Sequence, residues 1–184
     1  MNVLDVSARE MGKVRRRVAG GFVWVLAVMV LLGVPDSGRA EDNPAIWKLE
    51  VKDNYAALLE DVKAGLEAQQ FAIVSEENLA KALAMNRGVL GVDKWNTIGF
   101  REARAVHFCS LLFNQEVFNL NMDYSILCPF KVVLYSMEND PDTVTILMVR
   151  PTYLLAHFKD PSAKAVGQKI EDRIMAAIKE ALRH

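Results

Sequence analysis

The sequence predicts a two-layer α+β domain, a mainly antiparallel sheet with helices packed on one face. Three observations carry that expectation. Several short segments alternate or concentrate apolar residues in the manner of strands, Ile46–Lys52 most cleanly. A long apolar stripe at helical spacing (Val166, Ile170, Ile174, Ile178, Leu182) marks the carboxy-terminal segment. The order of elements is strand, helix, strand, helix, then three strands and a helix, which suits helices layered on a sheet.

Taken in order, Trp47, Leu49 and Val51 fall on one face of the first strand, with Lys48, Glu50 and Lys52 on the other. Asp53 or Asn54 caps a helix whose Tyr55, Leu58, Leu59, Val62 and Leu66 lie on one stripe. A short strand, Phe71–Val74, follows. Ser75 then caps a second helix, Glu76–Met85, with Leu79 and Leu83 inward and Gly88 as its stop. Val89–Arg101 shows no period and reads as a loop over the sheet. Strands are expected at Ala105–Leu111, Phe130–Met137 and Thr143–Arg150, with a helical link at Asn114–Leu120. The turn Asn139–Asp142 makes the last two strands a hairpin with a loop slightly longer than minimal. Asp160 as cap and Pro161 as first helical residue start the final helix.

The central strands are apolar on both sides. Phe130, Val132 and Leu134 oppose Val133, Tyr135 and Met137, while Val144, Ile146 and Met148 oppose Leu147 and Val149. A solvated second face should alternate more strictly. That face is therefore expected to meet a second copy, a small ligand or a partner protein, with Tyr135, Met137 and Met148 as the candidate binding surface.

The amino terminus predicts a chain outside the cytoplasm. Lys13 and Arg15–Arg17 precede an apolar run, Gly21–Val34, which Pro35 breaks, and Ser37-Gly38-Arg39-Ala40 supplies small residues where a signal peptidase reads. This is the layout of a secretory signal, residues 1–40, cleaved after Ala40, with Met1 or Met11 as the start. The apolar run falls short of the about 20 residues a membrane span needs. No stable span is then expected in the mature protein. Cleavage leaves 144 of the 184 residues as one domain, 41–184, with 16 basic and 20 acidic side chains and a net charge of −4. No basic patch survives, so nucleic acid is not an expected partner.

Both cysteines, Cys109 and Cys128, lie in His107–Lys131. If the flanking strands are antiparallel neighbours, the end of the first lies beside the start of the second, and a bridge is allowed. It requires Cα atoms about 4.4–6.8 Å apart. Exported cysteine pairs favour a disulfide. The alternatives are two reduced thiols, a thiol-redox pair, or a soft metal or haem site that uses His107, Cys109, Cys128 and Met148, suited to copper or haem iron. His107 and Cys109 share a strand face, but a disulfide would remove both thiolates. CxxCH and CxxC are absent from the sequence. A catalytic arrangement of Cys109 or Ser110 with His107 and Asp123 has no local signature. Binding is favoured over catalysis.

The segments VHFCS (106–110), MDYSILCPFKVVLYSM (122–137) and DPDTVTILMVRP (140–151) resemble the bacterial family called domain of unknown function 302. The resemblance is strongest to exported members that pair an FCS segment with a CPF or CPY segment, and runs from about Trp47 to the last helix. It implies helices on one side of a curved antiparallel sheet, frequent self-association, and a joint role for Cys109 and Cys128. It implies no activity, catalytic residue or cofactor. The functional expectation is thus an exported, self-associating binding or accessory module with a Cys109–Cys128 disulfide near its working surface. The metal or haem binder and the thiol-redox protein are its rivals.

Overall fold

The first strand forms where the alternation is cleanest. In the computed structural model, which describes residues 43–183, β1 spans Ile46–Lys52. The signal segment and cleavage position read in residues 1–40 lie outside the described residues. Trp47, Leu49 and Val51 pack against the core, while Lys48, Glu50 and Lys52 stay exposed. Helix α1 (Tyr55–Ala68) begins at Asn54, whose side-chain oxygen accepts hydrogen bonds from the Ala56 and Ala57 amides at 3.0 and 3.1 Å. Those two amides have no partner within the helix, so the cap satisfies them.

Next come β2 (Ala72–Asn78), the short helices α2 (Leu79–Met85) and α3 (Arg87–Leu90), and β3 (Phe100–Cys109). Helix α4 (Leu111–Leu120) leads through a 3-10 turn (Met122–Leu127) to β4 (Phe130–Met137) and β5 (Asp140–Val149). Helices α5 (Pro151–Ala156) and α6 (Pro161–Ala181) close the described chain. The sheet runs in the order β1-β5-β4-β3-β2, and every neighbouring pair is antiparallel. The α+β expectation therefore stands.

The core fills the space between one face of the sheet and the pair α1/α6. Val132 and Leu134 of β4, and Val144, Ile146 and Met148 of β5, meet Leu58, Val62 and Leu66 of α1 and Ile170, Ile174 and Ile178 of α6. Helices α1 and α6 lie close because Gly65 has no side chain: a Cβ there would run into the backbone carbonyl oxygen of Ala177. The Tyr55 hydroxyl donates to the Leu134 carbonyl oxygen at 3.0 Å, tying α1 to β4, and burial pushes its pKa up.

Several boundaries differ from the sequence expectation, each for a tertiary reason. The second strand continues to Asn78 because Ser75–Asn78 pair with β3 from His107 to Arg104. Ser75 is therefore no cap. Asn78 takes that role, accepting from the Lys81 amide at 2.8 Å. Glu76, expected in a helix, instead pairs with Lys63 of α1 and Arg104 of β3 at 3.1 and 2.6 Å. Of the two leucines expected inward, Leu79 is half-buried and Leu83 is exposed, and α2 buries no residue fully.

The segment 89–101 is not all loop: it takes in the end of α3, and β3 begins at Phe100, directly after Gly99 in the left-handed region at φ 72°. Helix α4 starts at Leu111, earlier than expected, so Leu111 leaves the strand. The β4–β5 hairpin is tighter than expected, with only Glu138 and Asn139 in the turn and Pro141 inside β5. An irregularity between Ser136 and Met137 absorbs the mismatch. Helix α5, with Pro151 at its first position, has no counterpart in the sequence expectation.

Candidate functional site: a disulfide beside an apolar groove

Antiparallel pairing of β3 with β4 places His107 opposite Lys131 and Phe108 opposite Phe130. Cys109, one residue beyond, thereby comes beside the segment that enters β4. Cys109 and Cys128 form a disulfide, with Cα atoms 6.1 Å apart. The Cys128–Pro129 peptide is cis. The Asn114 side-chain amide of α4 donates to Cys128 Sγ at 3.4 Å, so helix, bridge and strand start meet at one place. Beneath them Phe108 packs edge-on to Phe71 at 5.2 Å and tilted against Phe130 at 6.2 Å.

At this end the sheet divides. Pairing of β4 with β5 stops at Val132 and Met148. Beyond it, Phe130 and Lys131 remain paired to β3, and Val149 remains paired to Ile46 of β1. A groove of about 310 Å³ opens at the division, lined by Ile126, Leu127, Pro129, Phe130, Lys131, Val133, Leu147, Met148, Val149 and Leu154. Every lining side chain but Lys131 is apolar.

The wall from α5 is fixed by a charged anchor. The buried carboxylate of Glu171 in α6 accepts from Arg150 Nη1 at 2.5 Å, from the Thr152 amide at 3.2 Å and from the Thr152 hydroxyl. A buried charge is tolerable only when paired and hydrogen-bonded in this way. The result holds the start of α5, and with it Leu154, at the groove.

The residues singled out from sequence divide between places. Cys109 and Cys128 come together. His107 shares the second face of the sheet with Cys109, its Nε2 buried without a hydrogen bond and 3.6 Å from a Glu77 carboxylate oxygen. That is too long for a hydrogen bond. Met148 turns to the other face, into the core, and is 2% exposed. It pairs with Val132 and Trp47, so strand alternation separates it from His107 and Cys109. The set His107, Cys109, Cys128 and Met148 is not assembled, and the bridge occupies both sulfurs.

For the same reason Met148 does not join Tyr135 and Met137 on one surface. Tyr135 and Met137 lie half-buried on the second face, in a shallow depression with Glu50, Asp140, Thr143 and Thr145. Met148 instead lines the groove. Sequence reasoning missed Ile126, Leu127, Pro129, Lys131 and Leu154, because a groove made where two paired strands part has no periodic signal. The apolar Ile126-Leu127 step just before Cys128-Pro129 was the available hint.

An open five-stranded antiparallel sheet backed by two long helices defines an α+β domain of the helix-on-one-face class. Within that class the chain belongs to the DUF302 family: the model of the domain of unknown function DUF302 matches residues 47–181. An uncharacterized conserved protein DUF302 from Bacillus stearothermophilus, known from its crystal structure, shares the fold with a TM-score of 0.63 and 20% identity. The match covers 76% of this chain and 99% of that one. No curated protein matches.

Proposed function

We propose that this chain is an exported binding module that holds a small apolar anion, of the fatty-acid type, in the groove between β4 and β5. The observation that carries the reading is the lining: nine apolar side chains around about 310 Å³ with Lys131 as the single charge. Such a volume is at the lower end of small-molecule sites, and an apolar wall with one polar group suits a ligand that is apolar with one charged end. The disulfide beside Pro129 keeps the groove wall in place, and an oxidising compartment is where such a bridge persists. The signal-like segment Lys13–Ala40 supports the same compartment.

Self-association belongs to this reading. Tyr135 and Met137 are half-buried on the face away from α1 and α6, outside the groove, and a second copy would cover them.

The test uses protein expressed from the full sequence, exported to an oxidising periplasm and purified without reductant. Titration with a fluorescent long-chain fatty acid should saturate. Leu147→Asp should abolish the signal, while Lys131→Gln should weaken binding of the acid but not of the matching alcohol. Absence of saturable binding, or binding indifferent to Leu147→Asp, would remove the proposal. The denatured mass should begin at Glu41 and be two hydrogens light; an intact amino terminus would count against export by cleavage. A native mass of a dimer is expected, and a monomer would remove the self-association.

A further inference from the structure

The opposite end of the sheet carries a second surface, independent of the groove. Residues 83–98 expose six large apolar side chains: Leu83 37%, Met85 75%, Val89 89%, Leu90 45%, Val92 66% and Ile98 72%. Single exposed apolar residues are ordinary on any protein, but six within sixteen consecutive positions are not. Helices α2 and α3 bury no residue at all, so these side chains are not the outer fringe of a core.

The segment is nevertheless held in place. Trp95 packs edge-on to Phe100 with ring centroids 6.0 Å apart. The Asn96 side chain donates to the Phe100 carbonyl oxygen at 2.8 Å and accepts from the Phe100 amide at 2.9 Å. Phe100 pairs across the sheet with Met137, which fixes this lobe to the end of β4 farthest from the disulfide.

Its charge runs against that of the domain. Residues 79–98 contain Lys81, Arg87 and Lys94 against the single acid Asp93, a net charge of +2, whereas residues 41–184 carry −4. None of the three cations is in an ion pair among the described residues. At the base of the lobe, Glu102 and Glu138 share a hollow with Lys81, on the side toward the sheet.

We infer that this lobe docks on an anionic lipid surface. The exposed apolar side chains enter the headgroup boundary, and Arg87 and Lys94 meet the lipid phosphates. Apolar residues with interspersed cations match that interface in both hydrophobicity and sign. A protein partner would have to supply an apolar surface of matching shape; a bilayer adapts to the lobe.

The experiment is flotation of the exported protein with vesicles of phosphatidylcholine alone and vesicles containing phosphatidylglycerol. Partitioning should favour the anionic vesicles on the order of tenfold or more, as expected for two cations near such a surface. It should fall as salt is raised. The pair Val89→Asp, Ile98→Asp should abolish binding, and Arg87→Gln with Lys94→Gln should erase the preference for anionic lipid. All four positions are exposed, so unchanged thermal unfolding serves as the folding control. No binding, equal binding to both vesicles, or binding unchanged in the lobe variants would overturn the inference. So would a native dimer that these variants convert to monomer, because a second copy would then be the occupant. Fatty-acid binding in the groove is unaffected by any of these outcomes.

Discussion

The two ends of β4 present apolar surface in opposite forms. At the Phe130 end the apolar side chains line a hollow, backed by the Phe71–Phe108–Phe130 cluster, one residue from the disulfide at Cys128 and walled by α5, which Glu171 anchors. At the Met137 end they stand outward on α2, α3 and the turn segment that follows, and neither helix buries a residue. The difference teaches where stability resides and what each end can meet. A concave apolar site suits a small ligand that it can surround. An outward-standing one suits a deformable surface.

The largest expected effect is at the stapled end. Phe108→Ala removes a fully buried ring and should cost about 3–5 kcal/mol in denaturant unfolding. A much smaller loss would mean that this end is not the rigid one. Cys109→Ala should cost about 3 kcal/mol, the chain-entropy value for a loop of this length. Because either cysteine change removes the same bridge, the double variant with Cys128→Ala should lose little more; strictly additive losses would deny the bridge.

A smaller effect ties α1 to the β2–β3 edge. A hydrogen bond from Lys63, helped by Arg104, holds the Glu76 carboxyl below its usual range. A depressed carboxyl contributes stability above the unfolded pKa and loses it as pH falls through the folded value. Glu76→Gln should therefore cost under about 1 kcal/mol near neutrality, and flatten the loss of stability below about pH 4.5. An unchanged acid limb would exclude this contribution. The smallest effect belongs to the lobe, where Val89→Ser and Ile98→Ser should each change stability by no more than about 0.5 kcal/mol. A loss near that of Phe108→Ala would erase the contrast between the ends.

Local signals in the sequence mark much of the fold. Trp47, Leu49 and Val51 alternate, Asn54 and Asp160 cap, and the stripe of Val166 to Ile178 makes α6 an amphipathic helix. Those features depend on neighbours a few residues away. The misplaced boundaries depend on distant ones. Ser75 and Asn78 are both good caps locally, and pairing of 75–78 with β3 decides between them. Pro141 reads as a turn residue, yet the bulge after Ser136 lets it sit in β5. The cysteine pair was legible because strand order alone brings Cys109 beside Cys128. The groove was not, since Ile126, Lys131 and Leu154 converge from a turn, a strand and a helix that no period links. Met148 shows the same limit in reverse: a soft ligand type on a central strand reads as a site residue, and alternation sends it to the core wall.

One measurement sets the two ends directly against each other. A long-chain fatty acid bearing a photoreactive diazirine near its apolar end, bound to the protein and irradiated, can be located by peptide mapping. The expected labels fall in Ile126–Lys131 and Leu147–Val149, at the disulfide end. Labels confined to 83–98, or scattered without saturation, would contradict the assignment of the groove as the ligand site.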